Sequence, residues 1–153
     1  MTDVWFYHLE RQALEAVLPV LLDRARARGW RAVVQARSPE RIAALDEALW
    51  TFSDDSFLAH GGSRDGDPDL QPIWLTTGDD NPNGAALRVF VEGAEAGPVL
   101  AQHASLERAI VIFDGRDAES LTEARDQFRR LRDAGHALSY WRQGGDGRWE
   151  KQA

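Results

Sequence analysis

The chain contains no cysteine, so it can form neither a disulfide framework nor a thiolate metal site, which suits a reducing compartment. No apolar run approaches the ~20 residues needed to span a bilayer. The opening residues, MTDVWFYHLE, lack the basic region and apolar stretch of an export signal, so a cytoplasmic protein is expected. Positive charge is also scarce: 18 Lys and Arg against 25 Asp and Glu leave a net charge of −7. That balance disfavours wrapping bare DNA or RNA, whose phosphates require a broad basic surface, and no direct nucleic-acid partner is expected. Lysine is almost absent, since Lys151 alone accompanies seventeen arginines.

Catalytic signatures are missing as well. The first strand–helix turn reads HLERQAL, without a glycine and with bulky side chains where a pyrophosphate would need close backbone approach. There is no GxxxxGK[ST], no GxSxG elbow and no HExxH, and the four histidines are scattered without ligand spacing. Asp65, Asp67 and Asp69 alternate faintly like a calcium loop, but Pro68 interrupts them and Thr76 stands where the closing glutamate belongs. No metal and no cofactor are expected.

What is present reads as an α/β chain. At 153 residues and 43% hydrophobic, one domain of ordinary globular composition is predicted over residues 1–143, with a Gly-rich tail, 144–153, that frays. Residues 4–9, VWFYHL, form a β-branched and aromatic run typical of a buried strand. Leu14, Val17, Leu18, Leu21, Leu22 and Ala25 then recur on one helical face, which Gly29 closes. Residues 30–36 read as a second strand. Ser38 and Pro39 open a second helix as N-cap and first turn, with Ile42, Leu45 and Leu49 inside. Residues 51–71 read as a long loop. Residues 72–77 and 85–93 read as strands, and 108–115, RAIVIFDG, as a central one. A last helix over 117–134 and a last strand over 136–143 follow. Strand and helix in alternation predict a three-layer, Rossmann-like fold: a mostly parallel sheet, helices on both faces and no nucleotide-binding glycine loop.

Two features exceed what folding requires. Trp50 projects about 100° from the inner stripe of the second helix, and Phe52 and Phe57 follow in a polar loop. These aromatics either fold back as a satellite cluster or form a docking patch. On the last helix, Leu121, Ala124, Phe128 and Leu131 make the core stripe, and Arg125, Arg129 and Arg132 lie within about 60° of one another beside it. Phe128 stands on the border. A solvated basic face and a site for an acidic peptide with a hydrophobic end both fit that pattern, and an arginine-rich composition does not choose between them.

The stretch LDEALWTFSDDSFLAHG (45–61), with the opening FYHL and the helix ARDQFRRLRDAGHALSYW (124–141), resembles the chi subunit of bacterial DNA polymerase III holoenzyme, an accessory member of the clamp-loader assembly. The likeness covers most of the chain and is weakest over about 61–107. It implies a nucleotide-binding-like fold without chemistry of its own. It also implies an adaptor that bridges the clamp loader, through its psi subunit, to single-stranded DNA-binding protein (SSB). On this resemblance the acidic SSB tail, tipped with proline and phenylalanine, meets Arg125 and Arg129 with Phe128 as neighbour and Arg132 alongside. Trp50 and Phe57, with Phe52 between them, face psi or, where psi is missing, a helicase. Leu121 stands where close relatives carry a lysine at the start of the tail site, which implies either that Arg132 or Arg116 supplies the charge or that affinity for the tail is lower. His136 replaces an aromatic just after the helix. The rival reading is a small nucleotide-dependent enzyme on the same architecture, supported by fold analogy alone.

Overall fold

The alternation of apolar runs with helical stripes produces one seven-stranded sheet covered on both faces. A computed structural model describes residues 2–51, 60–62, 65–103, 105–143 and 149–152. In chain order the elements are β1 (Asp3–Leu9), α1 (Leu14–Ala27), β2 (Ala32–Gln35), α2 (Pro39–Thr51), β3 (Ile73–Thr76), β4 (Leu87–Val91), α3 (Gly97–Gln102), β5 (Arg108–Asp114), α4 (Ala118–Asp133), β6 (Ala137–Gln143) and β7 (Trp149–Lys151). The strand order is β3-β2-β4-β5-β1-β6-β7, parallel throughout except for the last pair. This is the expected three-layer, Rossmann-like arrangement, with β5 in the middle position.

Period-two alternation along the inner strands feeds two apolar layers. On one face Tyr7, Leu9, Val34, Val89, Ile110 and Ile112 pack with Leu18 and Leu22 of α1 and Leu45 and Leu49 of α2. On the other face Val4, Phe6, Phe90, Val111 and Phe113 pack with Val99 of α3 and Ala124 and Leu131 of α4. The caps follow the sequence. Ser38 Oγ accepts from the Arg41 N–H at 3.3 Å at the start of α2, and Gly29, beyond the end of α1, takes φ +80°, where a side chain would be strained.

Four features differ from expectation. A buried proline, Pro19, lies inside α1, where it removes a helical N–H. The short helix α3, which begins Gly-Pro, carries too few residues to show a helical period. Gln127 belongs to the buried stripe of α4, and its Oε1 accepts from the Ala96 N–H at 2.7 Å, tying α4 to the start of α3. Within the tail that was expected to fray, residues 149–151 form β7, antiparallel to β6, with Trp149 packed on the apolar layer of α1 and α2.

Among the described residues one charge is fully interior. Arg88, with no exposed surface, donates through Nε and a terminal nitrogen to Gln35 Oε1 at 3.2 and 2.6 Å. It also donates to the carbonyls of Gly78, at 2.8 Å, and Asp80. It thereby closes the turn-rich segment after β3 onto β4. Burial pulls its pKa down, while Asp80 and Asp79 oppose that shift. Replacing the fork leaves Gln35 and two carbonyls unsatisfied, a penalty of about 1–3 kcal/mol per group. Arg88→Leu is expected to lower stability by at least about 3 kcal/mol, read as a fall in the urea midpoint; an unchanged midpoint contradicts this role.

Candidate functional site

The strongest surface feature lies where α4 crosses β1, β5 and β6. Asp117 caps α4 by accepting from the Ser120 N–H at 3.1 Å, and Arg130 and Arg132 complement the negative end of the helix. Helical geometry then sets Arg125, Phe128, Arg129 and Arg132 along one flank, three and four residues apart. Phe128 is half-buried, standing edge-on to Phe6 (5.2 Å, 73°) and to Tyr140 of β6 (6.0 Å, 77°). Such edge-to-face pairs add roughly 0.5–1.5 kcal/mol beyond burial. Tyr140 continues the aromatic floor to Phe113, 6.0 Å away, and its hydroxyl meets His8 Nδ1 at 2.7 Å. Glu10, beside His8, pairs with Arg142 at 2.7 Å.

The floor is tightly fitted: a Cβ on Gly115 would stand 1.8 Å from His8 Nε2. Burial lowers the His8 pKa; Glu10 and Asp114 oppose this, and Arg142 and Arg125 add to it. Burial raises the Tyr140 pKa, with Arg125 and Arg142 pulling the other way. Arg125 therefore lies close enough to the floor for its charge to reach both rings.

The arginines themselves are less open than their sequence spacing suggests. Arg129 is closely paired with Asp126, Arg132 lies 3.4 Å from Asp133, and Arg130 lies 3.1 Å from Glu95. Among the described residues Arg125 has no ion pair. The pairs on Arg129 and Arg132 join side chains about half or more exposed, where such contacts contribute roughly 0–1 kcal/mol and exchange readily for a better carboxylate. Three guanidinium groups against Asp126 and Asp133 leave this flank with one net positive charge. Arg116, a candidate to replace the charge missing at Leu121, is held by Asp114 at 3.0 Å. Leu121 and Phe128 both pack on the apolar layer beneath α4. The His136 N–H bonds the Leu131 carbonyl at 3.1 Å and closes the helix end.

The second feature is separate. Trp50, in the last turn of α2, is 54% exposed, with its ring 4.6 Å from that of His60. His60 Nε2 lies 2.8 Å from Asp46 Oδ1. Phe52 and Phe57 lie outside the described residues. Sequence reasoning missed Tyr140, His8 and Arg142; the signal was the alternation of β1 and β6, which becomes legible once those strands are known to be neighbours.

A crevice of about 530 Å³ opens at the carboxyl ends of β1, β4 and β5, the usual ligand position in such sheets. It is acidic: its lining carries seven carboxylates and three guanidinium groups. All three cations are engaged, Arg41 by Glu15 and Glu92, Arg37 by Glu123 and Arg116 by Asp114. At the adjoining β1–α1 turn, Gln143 Oε1 accepts from the N–H groups of Arg11 and Gln12 at 3.2 and 3.3 Å. A buried protein side chain thus takes donors that a phosphate would require. Among the described residues no helix is long and apolar enough to cross a membrane, and no group of three or more His, Asp or Glu converges as a metal site.

Residues 1–139 match the family model described as "DNA polymerase III chi subunit, HolC". A curated relative, "Probable DNA polymerase III subunit chi" of Rickettsia prowazekii (strain Madrid E), is 24% identical over 156 residues, covering 100% of this chain and 93% of the relative.

His8 gives this site a pH signature. Its folded pKa is depressed, so stability is fully present above the ordinary histidine value of about 6.5. It is lost as pH falls below that value through the depressed one. In chemical denaturation between about pH 7.5 and 5, the wild type should lose stability towards acid more steeply than His8→Gln; parallel curves contradict this.

Proposed function

The chain is a member of the DNA polymerase III chi subunit family, and from that premise we propose a non-catalytic adaptor that links the clamp-loader complex to SSB. Membership makes it an accessory subunit of DNA polymerase III in DNA replication. In the proposed mechanism the acidic C-terminal tail of SSB lies along the outer flank of α4. Arg125 and Arg129 receive its carboxylates, Arg132 adds charge, and the terminal phenylalanine seats against Phe128 and Tyr140. The observation that carries this reading is an exposed Arg125, without an ion pair among the described residues, beside a half-buried aromatic floor. One end of the ligand must be anionic and the other apolar. Asp126 is the internal competitor that the tail displaces from Arg129.

A contact this small binds near the micromolar range, at about −8 kcal/mol, and weakens with salt because the charges are exposed. Several tails on one SSB assembly raise attachment through effective concentration. At the far end of α2, Trp50, with Phe52 and Phe57, serves the psi subunit, or a helicase where psi is missing; the exposed Trp50 ring supports an interface anchor there.

Fluorescence titration of a labelled SSB-tail peptide tests the α4 site. Arg125→Ala/Arg129→Ala is expected to weaken binding at least about tenfold, near 1.4 kcal/mol; equal affinities refute the site. The absence of intrinsic activity is tested by thermal shift: ATP, NAD and S-adenosylmethionine should each leave the melting temperature unchanged, because the crevice is acidic and the turn donors are taken. A rise of several degrees with any of them favours the enzyme reading instead.

A further inference from the structure

A second basic surface lies away from α4, on the α1–α2 face of the sheet towards the β7 edge. Trp5, Trp30, Trp141 and Trp149 are all half-buried there, packed on the core with part of each residue in solvent. The rings of Trp5 and Trp141 are 5.2 Å apart, and Trp149 stacks on buried Tyr7 at 4.4 Å and 19°. The Arg108 guanidinium lies 3.8 Å over the Trp5 ring and 5.3 Å from Trp30, and Arg28 covers Trp30 at 4.0 Å. Lys151, opposite Trp141 in the β6–β7 register, shares this face and is exposed.

The charges here are handled differently from most of those elsewhere in the molecule. Seven arginines, Arg129, Arg130 and Arg132 of α4 among them, each have a carboxylate of their own chain within ion-pairing distance. Around Trp30, none of Arg24, Arg26, Arg28, Arg31 and Arg108 forms an ion pair among the described residues. Arg26 and Arg31 reach only backbone carbonyls. The negative end of α1 accounts for Arg24, Arg26 and Arg28, but not for Arg108, which arrives from β5 and shares the Trp30 ring with Arg28. Burial and the Arg28 charge both push the Arg108 pKa down; Asp3 and Tyr7 only partly offset this. Two guanidinium groups are thus held together without an acid between them, in a chain of net charge −7.

We propose that this tryptophan and arginine strip is a contact site for single-stranded nucleic acid. Guanidinium forks suit phosphodiester oxygens, and a row of rings suits unpaired bases, whose faces a duplex would hide. An acidic peptide with one apolar end needs a single pocket, as on α4, rather than several part-exposed rings joined by guanidinium groups. The patch is local, so the overall negative charge limits it to a short contact of three or four phosphates. For single strands that number gives a slope of log K against log salt of about −2 to −3.

The test is anisotropy of a fluorescein-labelled oligothymidylate of about 12 nucleotides, titrated with the full chain between about 50 and 200 mM salt. We expect saturable binding with that slope, quenched tryptophan emission, and roughly tenfold weaker binding for Arg24→Gln/Arg28→Gln, whose side chains are exposed on the helix end and do not support the core. Arg125→Ala/Arg129→Ala should bind as wild type. The proposal is overturned if anisotropy does not rise at the lowest salt or if Arg24→Gln/Arg28→Gln binds unchanged. It is also overturned if heparin, a polyanion without bases, quenches the tryptophans equally, or if an acidic peptide displaces the oligonucleotide at equal concentration.

Discussion

A mostly parallel sheet buries its inner strands on both faces, and the two-sided role of β1 is the constraint on which both surfaces rest. All seven of its residues pair with β5 on one side, and six of them with β6 on the other. Alternate side chains then serve different ends: Val4, Phe6 and His8 point to the α4 layer, and Trp5 and Tyr7 to the α1 layer. Phe6 and His8 support the floor under Phe128 and Tyr140, and Trp5 anchors the arginine strip. A one-residue slip in this register would exchange the two sets and dismantle both surfaces.

The charge pattern explains how an acidic protein can keep local positive surfaces. On α4, carboxylates one and three residues away occupy Arg132 and Arg129 without burying them, so the flank keeps a small positive excess and exchangeable partners. At the carboxyl ends of the strands the same device is carried further, and acidic groups outnumber the cations they engage. The architecture keeps a crevice where related folds hold phosphates, while Gln143 and that acidic lining give it the wrong chemistry for one.

The elements most legible in the sequence were the long ones. The stripe of α1, the N-cap of α2, the run of β5 and the arginine flank of α4 each announce themselves through period or capping chemistry, and the structure places them where expected. Six-residue α3 and three-residue β7 are too short to carry a period. Gln127 entered the buried stripe because its amide satisfies the Ala96 N–H, a tertiary reason that no local pattern contains. The exposed flank of α4 was visible, but its pairing to Asp126 and Asp133 was not, since spacing allows an ion pair without requiring it. Tyr140, His8 and the tryptophan strip come from strands distant in sequence, and only the sheet order assembles them.

That same order has a consequence for biosynthesis. The strand made first finds both its neighbours only after residue 107, since Asp3 pairs with Arg108 on one side and Ala137 on the other. At roughly 5–20 residues per second on the ribosome, β1 waits about 5–20 s for its first partner. Meanwhile its run of Val, Trp, Phe and Tyr emerges with both edges open, a segment on which chaperones and aggregation compete. Folding of this chain is therefore governed by its last third, and truncation there would strand the beginning as well as the end.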